Sequence, residues 1–156
     1  MTPALPPNTL SNNSIAVSLT QEMVRTLTVN PPGNERPLAE RLQQVMHGAG
    51  LTTKLYPLSP KRASVVGKLS GNGRRPAFAM VGHIDTVPTG DLSWKFNPFS
   101  GDIYNGEVRG RGASDMKGGT AAMIGAAIAI ARSKVELQGD LIVACTAGEE
   151  VDCVGA

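Results

Sequence analysis

A helix-length stretch rich in Ala, Met and Ile, residues 115–133, lies between two short and almost wholly apolar runs, residues 77–81 and 140–147. Runs of that kind read as strands buried on both faces. A strand–helix–strand order makes the two strands parallel, because the crossover helix returns the chain to the same end of the sheet. The order therefore selects an α/β fold with a mixed, mostly parallel sheet flanked by helices. It also gathers the C-terminal ends of both strands at one edge, where open α/β sheets hold their ligands.

The segments before this unit have helical and strand periods of their own. Leu19, Met23, Val24 and Leu27 share one face of a helix over residues 18–29, which Asn30-Pro31-Pro32-Gly33 stops. Leu38, Leu42, Val45 and Met46 do the same over residues 35–48, with Asn34 as the expected cap, Pro37 tolerated in the first turn, and Gly48 and Gly50 ending the helix. Strands are expected at 53–56, 63–69 and 77–81, the last two joined as a hairpin through residues 70–75. Residues 88–114 form a long Gly/Pro/Asn-rich connection, which in a compact domain points to function. Trp94 and Phe99 are its expected packing anchors, with a small strand around Val108.

The 156 residues are enough for a core, and 41% apolar against 18% charged residues is a globular balance. A net charge of +2 without any Lys/Arg run argues against nucleic acid. Cys145 and Cys153, the two cysteines, have no zinc-knuckle spacing, and Cys145 reads as a buried free thiol. Two cysteines make no disulfide framework, so a reducing, cytoplasmic setting is expected. No apolar run is long enough to span a bilayer. Residues 1–17 read as a flexible leader and not a signal peptide. His47, Arg25, Lys54, Lys61 and Arg62 read as surface groups.

Three polar clusters follow predicted strands: Gly82-His83-Ile84-Asp85-Thr86, Ser114-Asp115-Met116-Lys117-Gly118-Gly119 and Gly148-Glu149-Glu150. His83 and Asp85 are i and i+2, so in extended chain they point the same way, and the carboxylate can orient one imidazole nitrogen while the other meets a metal. Each cluster has a plainer reading when taken alone: a hydrogen-bonded His–Asp pair, an aspartate helix cap, an exposed acidic turn. Adjacent glutamates in extended chain point apart, so one can hold a metal and the other serve a water as base. Taken together at one sheet edge, one histidine and four carboxylates suit Zn²⁺, or Co²⁺ or Mn²⁺. Gly110 and Gly112 lack the third glycine of a dinucleotide loop and the Lys-Ser/Thr of a P-loop.

The same clusters, with Trp94, Pro98-Phe99 and the run Gly110 to Gly119, resemble the M20 metallopeptidase family, the group of acetylornithine deacetylase, succinyl-diaminopimelate desuccinylase, aminoacylase-1 and the glutamate carboxypeptidases. Pro32-Gly33-Asn34-Glu35 fits its N-terminal region. The resemblance implies a zinc-peptidase-like catalytic domain that hydrolyses amides, with N-acyl amino acids or short peptides as substrates. It implies two zinc ions: His83 on one, Asp115 bridging, Glu150 on the other, Asp85 orienting His83, Glu149 as general base, and a cis peptide after Asp115. A homodimeric full-length form is also implied, with no nucleic-acid or membrane partner.

Family members are longer, and further acidic and histidine ligands come later in them. Residues 18–156 are thus expected to be the N-terminal part of the catalytic domain, truncated after the Glu-Glu motif, with an apolar edge exposed beside strand 140–147 and with no activity alone. The alternatives are a non-catalytic product that associates with another chain, or a different co-catalytic zinc aminopeptidase family.

Overall fold

The structure, a computed structural model, describes residues 14–91, 93–151 and 153–155. Most of the expected leader, residues 1–13, lies outside the described residues. The first helix, α1 (Ile15–Arg25), begins earlier and ends sooner than its apolar period suggests. Leu27, assigned to its buried face, is 54% exposed. Val29 instead makes an isolated parallel bridge with Thr86: the Thr86 amide donates to the Thr28 carbonyl and the Asn30 amide to the Thr86 carbonyl (3.1 and 2.8 Å). In α2 (Arg36–Gly48), Pro sits in the first turn as expected, but Glu35, not Asn34, is the cap residue. Glu35 is fully buried and its carboxylate accepts from Arg62 Nε and Nη2 (3.0 and 2.9 Å), so Arg62 is the half-buried partner of a buried carboxylate and not a free surface charge.

Strands β1 (Thr52–Ser59) and β2 (Arg62–Leu69) form the hairpin, closing through Pro60 and Lys61. The expected hairpin between the second and third strands does not exist. The main sheet has the order β1-β2-β6-β3, so β6 (Leu141–Thr146) lies between β2 and β3 (Phe78–His83). Its register is antiparallel to β2, Val65 opposite Cys145, and parallel to β3, Met80 opposite Val143. The 70–75 connection is zipped to the start of β6 by Asn72 N–H to Leu137 O and Arg75 N–H to Gln138 O (both 2.9 Å). The strand–helix–strand unit is as expected. The sheet is mixed, but two of its three pairings are antiparallel.

Among the described residues all three helices cover one face of this sheet. Leu38, Leu42 and Met46 of α2, Ala121, Ile124 and Ile128 of α3 (Gly118–Ser133), and Ala63, Val65, Val143 and Cys145 of the sheet make one core. Full burial of each large aliphatic chain contributes about 1.5–3 kcal/mol. Burial pushes the free Cys145 thiol up to about 12, which leaves it an inert core group.

Among the described residues no helix covers the opposite face, which corrects two expectations. Strand β3 is not buried on both faces: Phe78 is 64% and Val81 57% exposed. The exposed edge is that of β3, because β6 is interior. Tyr56, Leu58, Val66, Val81, Ala144 and Val154 line a shallow apolar depression of about 460 Å³ there.

The long connection does pack. Trp94 meets Phe96 edge-on at 5.4 Å, with Arg111 over the Trp94 ring and Arg109 over Phe96 and Tyr104. Its strand around Val108 is β5 (Glu107–Arg109), paired with β4 (Asp102–Tyr104). No helix among the described residues is long and apolar enough to cross a membrane.

Candidate metal centre

His83 ends β3, and both neighbours hold that end. The Ile84 amide donates to Thr146 O at 2.8 Å and the Thr120 hydroxyl of α3 donates to His83 O at 3.1 Å. The imidazole side chain is 6% exposed. Its Nδ1 turns back to Asp85, 3.1 Å from the backbone carbonyl and 3.5 Å from Oδ1. Its Nε2 faces outward, 3.1 Å from Asp115 Oδ1 and 3.7 Å from Glu149 Oε2. An imidazole tied at one nitrogen and offering the other to carboxylates is oriented as metal-ligating histidines are.

Asp115 is not a helix cap. It sits in a π-helical turn, Ala113–Lys117, with extended dihedrals (φ −119°, ψ 102°), and the peptide to Met116 is cis, as the resemblance implied. Helix α3 starts only at Gly118. The turn is anchored from below by Lys117, 1% exposed, whose ammonium donates to Met23 O (2.8 Å) and Thr26 O (3.0 Å) at the end of α1. Burial lowers the Lys117 pKa to about 8 against the opposing pull of the Asp85 charge. Gly112 enters the turn at φ +83°, and a Cβ there would collide with Thr86 Cγ2. Gly112→Ala is therefore expected to destabilise the fold by about 1–2 kcal/mol from the left-handed backbone alone, with the clash in addition, as read by a thermal melt.

Glu149 and Glu150 do not follow extended geometry. Strand β6 stops at Thr146, Gly148 turns at φ +77°, and both glutamate amides donate to one carboxylate: Glu149 N–H to Asp85 Oδ1 and Glu150 N–H to Asp85 Oδ2, each 3.1 Å. The two side chains consequently reach the same site instead of diverging. Asp85 is fully buried. Burial alone would raise its pKa, but the hydrogen bonds from His83, Asn30, Glu150 and Glu149 outweigh that and hold the carboxyl well below its usual range.

Ligand atoms of His83, Asp115 and Glu150 all lie within 4.8 Å of one another. One imidazole nitrogen and two carboxylates form a donor set that fits Zn²⁺, Co²⁺ or Mn²⁺. The hydrogen bond to the Asp85 carboxylate raises His83 to about 9, against the pull of burial and with help from Asp115. Burial raises Glu150, which the His83 charge partly offsets. The Asp115 side chain is 81% and Glu149 48% exposed, so the centre opens to solvent.

Sequence reading brought these five residues together but missed their supports. Asn30 looked like a helix stop, yet it is 3% exposed and its amide donates to Asp85 Oδ2 at 2.9 Å. Lys117 stood in a quoted motif without a role. Glu35 and Arg62 brace the Glu149 turn: Arg62 Nη2 lies 2.5 Å from where a Gly148 side chain would start. The available signal was a polar residue at every second position, Thr28 and Asn30, ahead of two prolines. His47 is exposed as expected.

Comparison with known proteins agrees with this geometry. The chain is 36% identical over 113 residues to a succinyl-diaminopimelate desuccinylase of Rhodospirillum centenum, covering 70% of this chain and 29% of that one. It is 33% identical over 143 residues to the N-formyl-4-amino-5-aminomethyl-2-methylpyrimidine deformylase of Bacillus subtilis, covering 89% and 34%. It thus spans about a third of the length of the curated relatives it matches. The fold superimposes on an M20 family metallo-carboxypeptidase of Sulfolobus solfataricus with a TM-score of 0.77 at 22% identity, over 90% of this chain and 32% of that one. The model of peptidase family M20/M25/M40 matches residues 79–156, the half of the chain that carries the histidine, the π-helical turn and the two glutamates. That match decides against another zinc aminopeptidase family: the chain belongs to the M20 peptidases.

Proposed function

We propose that this chain carries the N-terminal half of the catalytic centre of a metal-dependent amide hydrolase, acting on N-acyl amino acids or short peptides. The observation that carries the reading is the convergence of His83, Asp115 and Glu150 within 4.8 Å, with the Glu149 carboxylate beside them. The names of the relatives, a desuccinylase, a deformylase and a carboxypeptidase, support the reaction class.

His83, Asp115 and Glu150 would hold the metal. A divalent ion held by them would supply Lewis acidity toward a scissile carbonyl and a water. Glu149 takes the proton of the attacking water and returns it to the leaving amine. Asp85 does two things for this chemistry. It keeps Nδ1 of His83 engaged so that Nε2 is free for the metal, and it fixes the backbone that aims Glu149. Catalytic zinc ordinarily takes three protein ligands, and three residues divided over the two ions that the family resemblance implies fall short of that. The remaining donors would come from polypeptide outside these 156 residues, so the chain alone is expected to bind zinc weakly and to turn nothing over.

The test is hydrolysis of a panel of N-acyl amino acids and dipeptides by the polypeptide isolated from its source cells, with its intact mass measured. Metal-dependent turnover, reduced about 10²–10⁴-fold by Glu149→Ala, supports the reading. Equal turnover by the Glu149→Ala variant refutes it. Robust turnover by the 156 residues alone keeps the hydrolase and removes the need for further donors. A second reading, a chain that works by associating with further polypeptide, is favoured by the bare apolar face around Val81 and Tyr56. Sedimentation of the purified chain, alone and mixed with source-cell extract, reports on it.

A further inference from the structure

We propose that Asn30 is a positioning residue for the Glu149–Glu150 turn, acting through Asp85. This rests on the catalytic reading of Glu149 given above. A carboxylate has about four lone-pair sites. At Asp85 they meet three hydrogen-bond donors, Asn30 Nδ2 (2.9 Å) and Glu150 N–H (3.1 Å) on Oδ2 and Glu149 N–H (3.1 Å) on Oδ1, and a fourth contact, His83 Nδ1 at 3.5 Å from Oδ1. Three of the four come from the two segments that carry the candidate chemistry. Asn30 alone comes from elsewhere, from the segment after α1 that bridges to Thr86.

That segment is itself fastened. The Thr28 hydroxyl donates to Ile84 O at 2.7 Å, the Thr86 amide to Thr28 O at 3.1 Å and the Asn30 amide to Thr86 O at 2.8 Å. Asn30 therefore has a fixed backbone from which its side-chain amide meets Asp85 inside the protein. A carboxylate held by only one side would be free to rotate about its last bond. Held on both sides, it offers one oxygen to each glutamate amide. An amide side chain is suited to this place because it donates without charge; a carboxylate there would repel Asp85. The two residues are 55 positions apart in sequence, so the alternation at Thr28 and Asn30 marks the segment but does not name its partner.

The test needs no metal and no substrate. Amide hydrogen exchange at Glu149 and Glu150 is followed by NMR in the ¹⁵N-labelled, metal-free chain. Asn30→Ala is expected to speed exchange at both amides about tenfold, the loss of roughly one hydrogen bond of local stability. Thr28→Val removes a buried hydrogen bond of the same segment without touching Asp85, and is expected to leave both amides within about twofold of wild type. Unchanged exchange at Glu149 and Glu150 in Asn30→Ala overturns the proposal. So does equal acceleration by Thr28→Val, which would mean that the segment only supports the fold. If Asn30→Ala does not fold, Asn30→Ser is read by the same two outcomes. Zinc titration of the same samples separates the two ideas: wild type that binds no zinc counts against the hydrolase, while the exchange result stands on its own.

Discussion

Replacing Asp85 by alanine is expected to lower the stability of the metal-free chain by about 3–5 kcal/mol, near the limit for a single substitution. Asp85 is fully buried, and the change strands the amides of Glu149 and Glu150 and the Asn30 side chain together, while His83 Nδ1 keeps the backbone carbonyl of residue 85 as a partner. Buried donors left without an acceptor cost more than the bonds themselves contributed. Asp85→Asn, equal in shape, keeps one acceptor oxygen but turns an NH₂ toward N–H donors, so an intermediate loss is expected. Urea denaturation of the three proteins measures both. The pH dependence follows from the lowered pKa of this carboxyl. A depressed pKa gives stability that is present above the unfolded value, about 4, and is lost only as pH falls toward the folded value. The Asp85 contribution should therefore be flat from pH 5 upward.

The second large effect concerns metal affinity. Because His83 holds its proton up to about pH 9 in the metal-free protein, zinc must displace that proton. Affinity is expected to rise about tenfold per pH unit, hence about a hundredfold from pH 6 to pH 8. A histidine with an ordinary pKa near 6.5 would flatten out above neutrality, so the interval from pH 7 to 8 is the telling one. Calorimetric titrations in buffers of different ionisation enthalpy count the proton released. The same shift acts on folding with the opposite sense to that of Asp85. A raised pKa gives stability that is full below 6.5 and lost as pH climbs through about 9, so the metal-free chain should weaken on that side.

The parts of this molecule that could be read from sequence are those whose signals are local. The two apolar runs and the helix between them fix a parallel β3–β6 pair, and the polar residues just past each strand must then share an edge. That is why His83, Asp115, Glu149 and Glu150 could be named together. What stayed hidden depends on contacts distant in sequence. Strand β6 inserts between β2 and β3, so the connection that looked like a hairpin is none. Val81 looked like core because it is apolar, yet the helices among the described residues all lie on the other face. Arg62 looked like a surface charge because its partner Glu35 belongs to a different element. Glu149 and Glu150 were expected to diverge because extended chain alternates; Asp85 overrides that by capturing both amides.

The measurement that bears most directly on this centre is a Co²⁺ titration of the 156-residue chain followed by visible absorption, run on wild type, His83→Ala and His47→Ala. Saturable binding with ligand-field bands is expected for wild type and for His47→Ala, whose histidine is exposed. In His83→Ala the bands should be lost and the affinity should fall about a hundredfold or more. Equal binding by His83→Ala, or no saturable binding by wild type, would contradict the assignment of His83, Asp115 and Glu150 as a metal centre.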